Sequence, residues 1–501
     1  MYGVCFVLVM ILISVYYQWS RRKIVAAVAN MDGPPSLPLI GNLFILLKYN
    51  TGEKIFNYVS SIGRSYRYPI SIHIGPLLYV LLDNPDHLKT VLNSKHCLDK
   101  LGMYEFFDVN RGLLVAKGHV WKGLRKNLNH SFGKAIVSDV ARTFNTKSTI
   151  LVENLEKYVG QGEHDLSNDF VKCFLDTILN TAFGVNLDLQ RTPLGDELVK
   201  VAEKYLELTT KRMFYPLQYS DLLYRFTNDC KIHRENLTYL RDFSEKVLDI
   251  KAQSDKPSAP SDQKQAEEDI ANGRKPLIFL DSLLDLARKS DNFTKEDIID
   301  NMITIIEAGN DTTATTLKMV FLMLAIHPDI QERVHEEILR VCPDTDQFVS
   351  MEDASALSYI ETVCKEVWRL YPVGPFVGRV ATLDIKLDDK HTIPADSQIL
   401  INFHHLHRNP STWGPDADKF NPDRFLPENC TQRHPYAFLP FSAGPRNCIG
   451  LRYAWLSLKI IMVHVLRRYR LRTTLTMDQI KIRFSVVTRI LNGCPISLEE
   501  R

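Results

Sequence analysis

The chain has 501 residues, 45% hydrophobic and 24% charged, an ordinary globular composition that excludes disorder, collagen-like repetition and coiled coil. Lysine and arginine number 61 against 59 aspartate and glutamate, a formal charge of +2, which argues against a protein built chiefly to hold nucleic acid. Nine cysteines without paired spacing point to a reducing compartment, where thiols stay free unless they bind a metal or react.

Residues 1–20 carry no charge, and Val4 to Tyr17 is apolar except for Ser14. About 20 helical residues cross a bilayer core of about 30 Å. Tyr16, Tyr17 and Trp19 suit an interfacial belt, and Arg21, Arg22 and Lys23 follow at once, which would keep the following body on the cytoplasmic side. A cleaved signal peptide competes, since Ala27-Val28-Ala29 resembles a cleavage site. The segment lacks a basic leader, however, so an uncleaved single-pass anchor is expected. Residues 21–41 then read as a basic and proline-rich linker, because three prolines between Pro34 and Pro38 hold the chain extended. They describe a stiff spacer or an irregular loop equally well.

Residues 42–501 read as one mainly helical domain with small β-sheets. Amphipathic helical patterns lie near 146–160, 166–183, 235–252, 296–326, 329–341, 358–370 and 449–468, with strand-like runs at 69–82 and 382–402. Residues 251–276 are polar and nearly free of large apolar groups, an exposed connection rather than a domain boundary.

Three helical patterns carry polar pairs. Trp121 and Arg125 share a face at i and i+4, and Glu366 and Arg369 share one at i and i+3. Thr294 to Asp297 reads as a capping box opening a helix that Pro328 ends. Its middle is interrupted by Ala308-Gly309-Asn310-Asp311-Thr312-Thr313. An interior glycine costs about 1 kcal/mol, so Gly309 requires a reason, and close approach to a flat cofactor supplies one. Thr312 can bond back to the Ala308 carbonyl and loosen the helix; a plain kink is the alternative. His404-His405-x-His407 lacks a matching carboxylate or cysteine set and fits a strand end better than a zinc site.

Residues 441–450 read Phe-Ser-Ala-Gly-Pro-Arg-Asn-Cys-Ile-Gly and run straight into a helical pattern. Cys448 thus sits just before a helix N-terminus, where free N–H groups and the dipole favour a thiolate. Gly444 and Gly450 remove side chains where something broad could approach the backbone, and Arg446 adds a cation that could pair with an acidic group on it.

With Phe441, Gly444, Arg446, Cys448 and Gly450 at this spacing, the chain resembles the cytochrome P-450 family. Glu366-x-x-Arg369, Asn421 to Phe425, Trp121-x-x-x-Arg125 and the Ala308–Thr313 stretch match its other motifs in order. The resemblance implies haem b with Cys448 as axial thiolate on iron, pushing electron density to favour O–O cleavage. It implies haem contacts from Ala308 and Gly309, carboxylate binding by Trp121, Arg125, Arg379 and Arg446, and a structural cluster of Glu366, Arg369 and Arg424. Asp311 and Thr312 fall on the family's acid–alcohol pair, which delivers protons for dioxygen cleavage. The implied enzyme is a microsomal monooxygenase of the endoplasmic reticulum membrane. It would insert one oxygen atom into a lipophilic substrate, with NADPH electrons arriving through NADPH–cytochrome P-450 reductase and cytochrome b5 as a candidate second donor.

The style of residues 405–425 and 435–450 resembles the branch of fatty-acid omega-hydroxylases and many insect enzymes. Some vertebrate members carry a glutamate just before the helix glycine that bonds covalently to haem. Here that position is Ala308, so neither the covalent link nor fatty-acid omega-hydroxylation carries over. A haem-thiolate isomerase or dehydratase, or a non-enzymatic haem-binding protein, remains an alternative class. The substrate pocket is expected from 103–115, including Phe106 and Phe107, from the helix near Ala308, and from 373–378. Lys122, Arg125, Lys126, Arg452 and Lys459 are candidates for docking an acidic electron donor.

Overall fold

The computed structural model describes residues 19–255, 277–344 and 346–501, together with Tyr2, Leu12, Val15 and Tyr16. Most of the expected membrane anchor and most of the polar connection at 251–276 therefore lie outside the described residues. Among the described residues, no helix is long and apolar enough to cross a membrane.

The helix Lys295–Ile326 organises the molecule. Thr294 accepts from the Asp297 backbone while the Asp297 carboxylate accepts from the Thr294 N–H, so two otherwise unpaired N-terminal donors are satisfied. His327 ends it, and Pro328 occupies the first turn of the next helix, Pro328–Val341, where its missing N–H costs nothing. At about 1.5 Å per residue the central helix spans about 48 Å. It is buried nearly all round, including the polar Asp300, Asn301, Glu307, Asn310 and Asp311. The helices Ser167–Phe183, Ser358–Leu370 and Leu451–Arg468 pack against it, and together they form the main apolar core.

The other architectural unit is a four-stranded sheet in the order Ile70–Ile74, Leu77–Leu82, Gln398–Asn402, Phe376–Val380. Its two central strands run parallel and its two outer pairings are antiparallel. The expected strand run at 382–402 is broken: Asp388 accepts from the backbone of Lys390 and His391, turning the chain between two-residue strands. The proline-rich segment does not stand off as a spacer. Asp32 and Gly41 bridge to Ile70 and Ile74, so it lies on the sheet edge.

Behind the core, Glu366 and Arg369 form a fully buried, two-pronged pair at 2.7 and 2.8 Å. Arg369 also donates to the carbonyls of His407, Ala417 and Lys419. Arg424 stands 3.5 Å from Glu366 and donates to the carbonyls of Trp413 and Asp416. One acid thus ties a helix to the loop at 407–424. Removing one member of such a pair costs about 3–5 kcal/mol, because the other charge stays buried. Glu366→Ala is expected to lower the unfolding free energy, measured by urea titration, by an amount in that range; wild-type stability would contradict the assignment.

Candidate active site

An interior cavity of about 330 Å³ opens between the central helix, the loop 440–450 and the strand Phe376–Val380. Cys448 lines it, with its side chain exposed to the cavity space. The loop is held in place by three contacts. The Cys448 N–H donates to the Phe441 carbonyl at 3.0 Å, Phe441 meets the Trp368 ring edge-on at 4.8 Å, and Trp368 meets Trp455 at 4.7 Å. Trp368 is anchored by donating its indole N–H to Thr316 on the central helix. The helix Leu451–Arg468 begins three residues beyond the cysteine.

Two readings of this loop need correction. The helix terminus alone does not make a thiolate: burial raises the Cys448 thiol above its ordinary value, against the Gly450 N–H and the Arg125 charge. A metal ion would have to supply the missing positive charge. Gly444 serves packing rather than a flat ligand. Its φ is +70°, and a Cβ would stand 1.9 Å from the Leu92 carbonyl oxygen on the helix Pro85–Asn93, away from the cavity. Gly450 does line the cavity.

Trp121, Arg125, Arg379 and Arg446 all line the same cavity, joined by Lys100, which sequence reasoning missed because nothing in its local pattern marks it. Arg446 donates to the carbonyls of Leu98, Leu113 and Ala116 and covers the Trp121 ring at 4.4 Å. Arg125 donates to the Asn447 carbonyl and side chain, both at 2.8 Å. Arg379 reaches only its neighbour's carbonyl through Nη1, and its buried Nη2 has no partner. Burial, then the charges of Arg379 and Arg446, pull Lys100 well below the usual lysine range. Burial, then Arg379, pulls Arg446 down to about 9. Among the described residues no carboxylate lines the cavity. Four cations sharing one low-dielectric wall repel one another, so the donor set fits a dianionic group such as the two carboxylates of haem.

On the central helix, Ala308, Gly309 and Thr312 line the cavity. The Thr312 hydroxyl donates to the Ala308 carbonyl at 2.6 Å, the back-bond read from the sequence. Gly309 has a packing reason as well, since a Cβ there would stand 2.7 Å from Ile178 Cδ1. Asp311 turns to another face, about 100° around the helix. There Arg489 Nη2 holds its Oδ1 at 2.7 Å, while its buried Oδ2 is unpaired. Arg489 also reaches Glu203 at 3.4 Å, linking this acid towards the surface. Arg489, on the late hairpin Val487–Ile490, was invisible to motif reading. Glu307 lies on Asp311's side, not towards the cavity; burial, then the Asp311 charge, pushes it up to about 8.

The expected pocket divides. Leu113, Leu114, Val373, Gly374 and Val377 line the cysteine cavity, whereas Met103, Tyr104, Phe107 and Phe376 line a second one. Phe106 lines neither; it lies beneath the Arg212 guanidinium at 4.3 Å. The histidines at 404–407 act separately: His405 pairs with Asp83, and His407 accepts from the Leu439 N–H. Lys459 is buried on Ala354 and Glu361, so it leaves the surface set, in which Lys122, Lys126 and Arg452 remain exposed.

A family model described as Cytochrome P450 matches residues 31–493. Among similar proteins, cytochrome P450 4c21 of Blattella germanica is 32% identical over 94% of this chain and 93% of its own length. Cytochrome P450 4V2 of Rattus norvegicus is 31% identical over 98% and 92%. A probable cytochrome P450 313a4 of Drosophila melanogaster is 29% identical over 98% and 97%.

The Glu307 environment has a measurable consequence. The folded chain holds that proton to about pH 8, whereas the unfolded chain releases it near pH 4.3, so stability falls as pH rises between those values. Glu307→Gln is expected to gain in melting temperature over wild type increasingly from about pH 5 to about pH 8. A constant difference across that range would contradict the burial argument.

Proposed function

The chain belongs to the cytochrome P450 family, haem-thiolate monooxygenases that bind haem b through cysteine, and from that premise we propose how its own residues divide the work. The observation that carries this reading is a single cavity in which Cys448 and Thr312 face the same space, walled by four cations and, among the described residues, no acid. Haem, when bound, supplies the redox chemistry that activates dioxygen.

Cys448 would hold the iron, its proton lost on binding. Arg379 and Lys100, the least satisfied cations, would take the haem carboxylates, with Arg125, Arg446 and the Trp121 indole completing the cradle. Ala308 and Gly309 offer a low wall beside the ring. Ala308 has no side-chain carboxylate and Glu307 faces away, which supports a haem held without a covalent link.

The Thr312 hydroxyl hydrogen is committed to the Ala308 carbonyl, so its oxygen is free to accept a hydrogen bond and order a water in the cavity. Asp311 would replenish protons from the Glu203 side, which requires its carboxylate to part from Arg489 and swing towards Thr312. The reaction assigned is oxygen insertion into a C–H or C=C bond of a lipophilic substrate, with electrons from NADPH through NADPH–cytochrome P-450 reductase and cytochrome b5 as a candidate second donor. Exposed Lys122, Lys126 and Arg452 flank the cysteine loop through the two helices they sit on, a surface suited to an acidic donor.

We further assign residues 1–20 as the anchor of an endoplasmic reticulum protein with a cytoplasmic catalytic body over 42–501. Exposed Leu37, Ile40 and Leu47 near the amino end, and Leu217, Leu222, Leu223 and Phe226, support a membrane-facing side. Both segments adjoin residues that wall the second cavity.

Thr312→Ala tests the proton assignment. In the reconstituted enzyme, haem content and NADPH consumption are expected to persist while product per NADPH falls about tenfold or more. Unchanged coupling would contradict the role. Product formation without NADPH and reductase would favour an isomerase or dehydratase instead.

A further inference from the structure

We propose that the site selects an elongated lipophile without a charged head group, such as a long-chain ester or alcohol, and discriminates against a free long-chain carboxylate. The proposal rests on the haem-thiolate reading above and deepens it.

The second cavity, about 110 Å³, lies across the strand Phe376–Val380 from the cysteine cavity. Side chains alternate along a strand, and here Val377 and Arg379 line the inner cavity while Phe376 and Gly378 line the outer one. The segment that bridges to this strand through Asp99 and Val380 divides in the same way, with Lys100 inward and Leu101 outward. Leu101 lies directly on Gly378, where a Cβ would stand 2.2 Å from its Cγ. The partition between the two spaces is therefore this strand together with the Leu101 side chain.

The outer cavity is walled by aliphatic and aromatic residues of the segment 45–59, the sheet, the helix end at Met213 and Phe214, and the hairpin residue Phe484. Among the described residues no lysine, arginine, histidine, aspartate or glutamate lines it. Its polar side-chain atoms are tyrosine hydroxyls. Burial pushes Tyr58 and Tyr79 up to about 12, so these stay neutral, and Tyr219 spends its hydroxyl on the Met213 carbonyl at 2.5 Å.

A long chain lying through both spaces with its tail inward leaves its head in this uncharged wall. An ionised carboxylate there loses water and gains no counter-charge, which is costly. Entering head first, it would meet Lys100 and Arg379, which the haem carboxylates claim. A neutral ester or hydroxyl incurs neither cost.

The test uses full-length, haem-loaded protein whose reduced carbon monoxide complex shows thiolate ligation. Dodecanoic acid, its methyl ester and dodecanol are titrated in turn, with the spin-state shift of the Soret band as readout. The ester and alcohol are expected to bind about tenfold or more tighter than the acid. Ile74, which lines the outer cavity and is half-buried, gives a second measurement. Ile74→Lys should recover about tenfold in acid affinity while leaving the ester nearly unchanged. Acid binding by wild type equal to or tighter than the ester would overturn the proposal, as would the absence of any spin response to the neutral chains. A carbon monoxide complex without thiolate character would instead overturn the haem-thiolate reading itself.

Discussion

Lys100, Arg125, Arg379 and Arg446 bring four basic side chains to one interior wall whose described lining holds no carboxylate. Burial and mutual repulsion draw Lys100 and Arg446 below their ordinary ranges, and a guanidinium nitrogen of Arg379 is left without a partner. A bound anion would answer that imbalance. The cysteine facing the same space has the complementary deficiency, a thiol that burial pushes above its ordinary range. One ligand carrying both a metal ion and two carboxylates resolves both conditions, and the cytochrome P450 relatives bind such a ligand.

The central helix serves two separated tasks because successive residues diverge by about 100°. Thr312 faces the cavity, while Asp311 faces Arg489 and, beyond it, Glu203. The acid and the alcohol are adjacent in sequence yet belong to different environments, one connected towards the surface and one to the cysteine cavity. Gly309 joins these tasks to the fold, since Ile178 occupies the space its side chain would need.

Much of this was legible in the residues. The capping box at Thr294, the Thr312 back-bond, the Glu366–Arg369 pair and the placing of Cys448 before a helix depend on contacts within four residues or on one short loop. What escaped depends on distant chain segments. Lys100 and Arg489 acquire their roles only when the fold brings them beside Arg379 and Asp311. Gly444 is explained by Leu92, some 350 residues earlier. The helix Pro193–Phe214 was also overlooked: Thr209 and Thr210 interrupt its apolar pattern, yet both are buried because their hydroxyls bond back to Tyr205 and Leu206. The direction of the Cys448 shift was misread because a helix terminus is visible in sequence whereas burial is not.

Every role proposed for this cavity requires sulfur at position 448 to bond to iron. The most direct measurement is the carbon monoxide difference spectrum of the dithionite-reduced, full-length protein, compared with Cys448→His. The wild type should give the red-displaced Soret band of a thiolate-ligated complex, and the variant, if it retains haem, should give an undisplaced band. A haem-loaded wild type without the displaced band, or a variant that keeps it, would contradict the assignment.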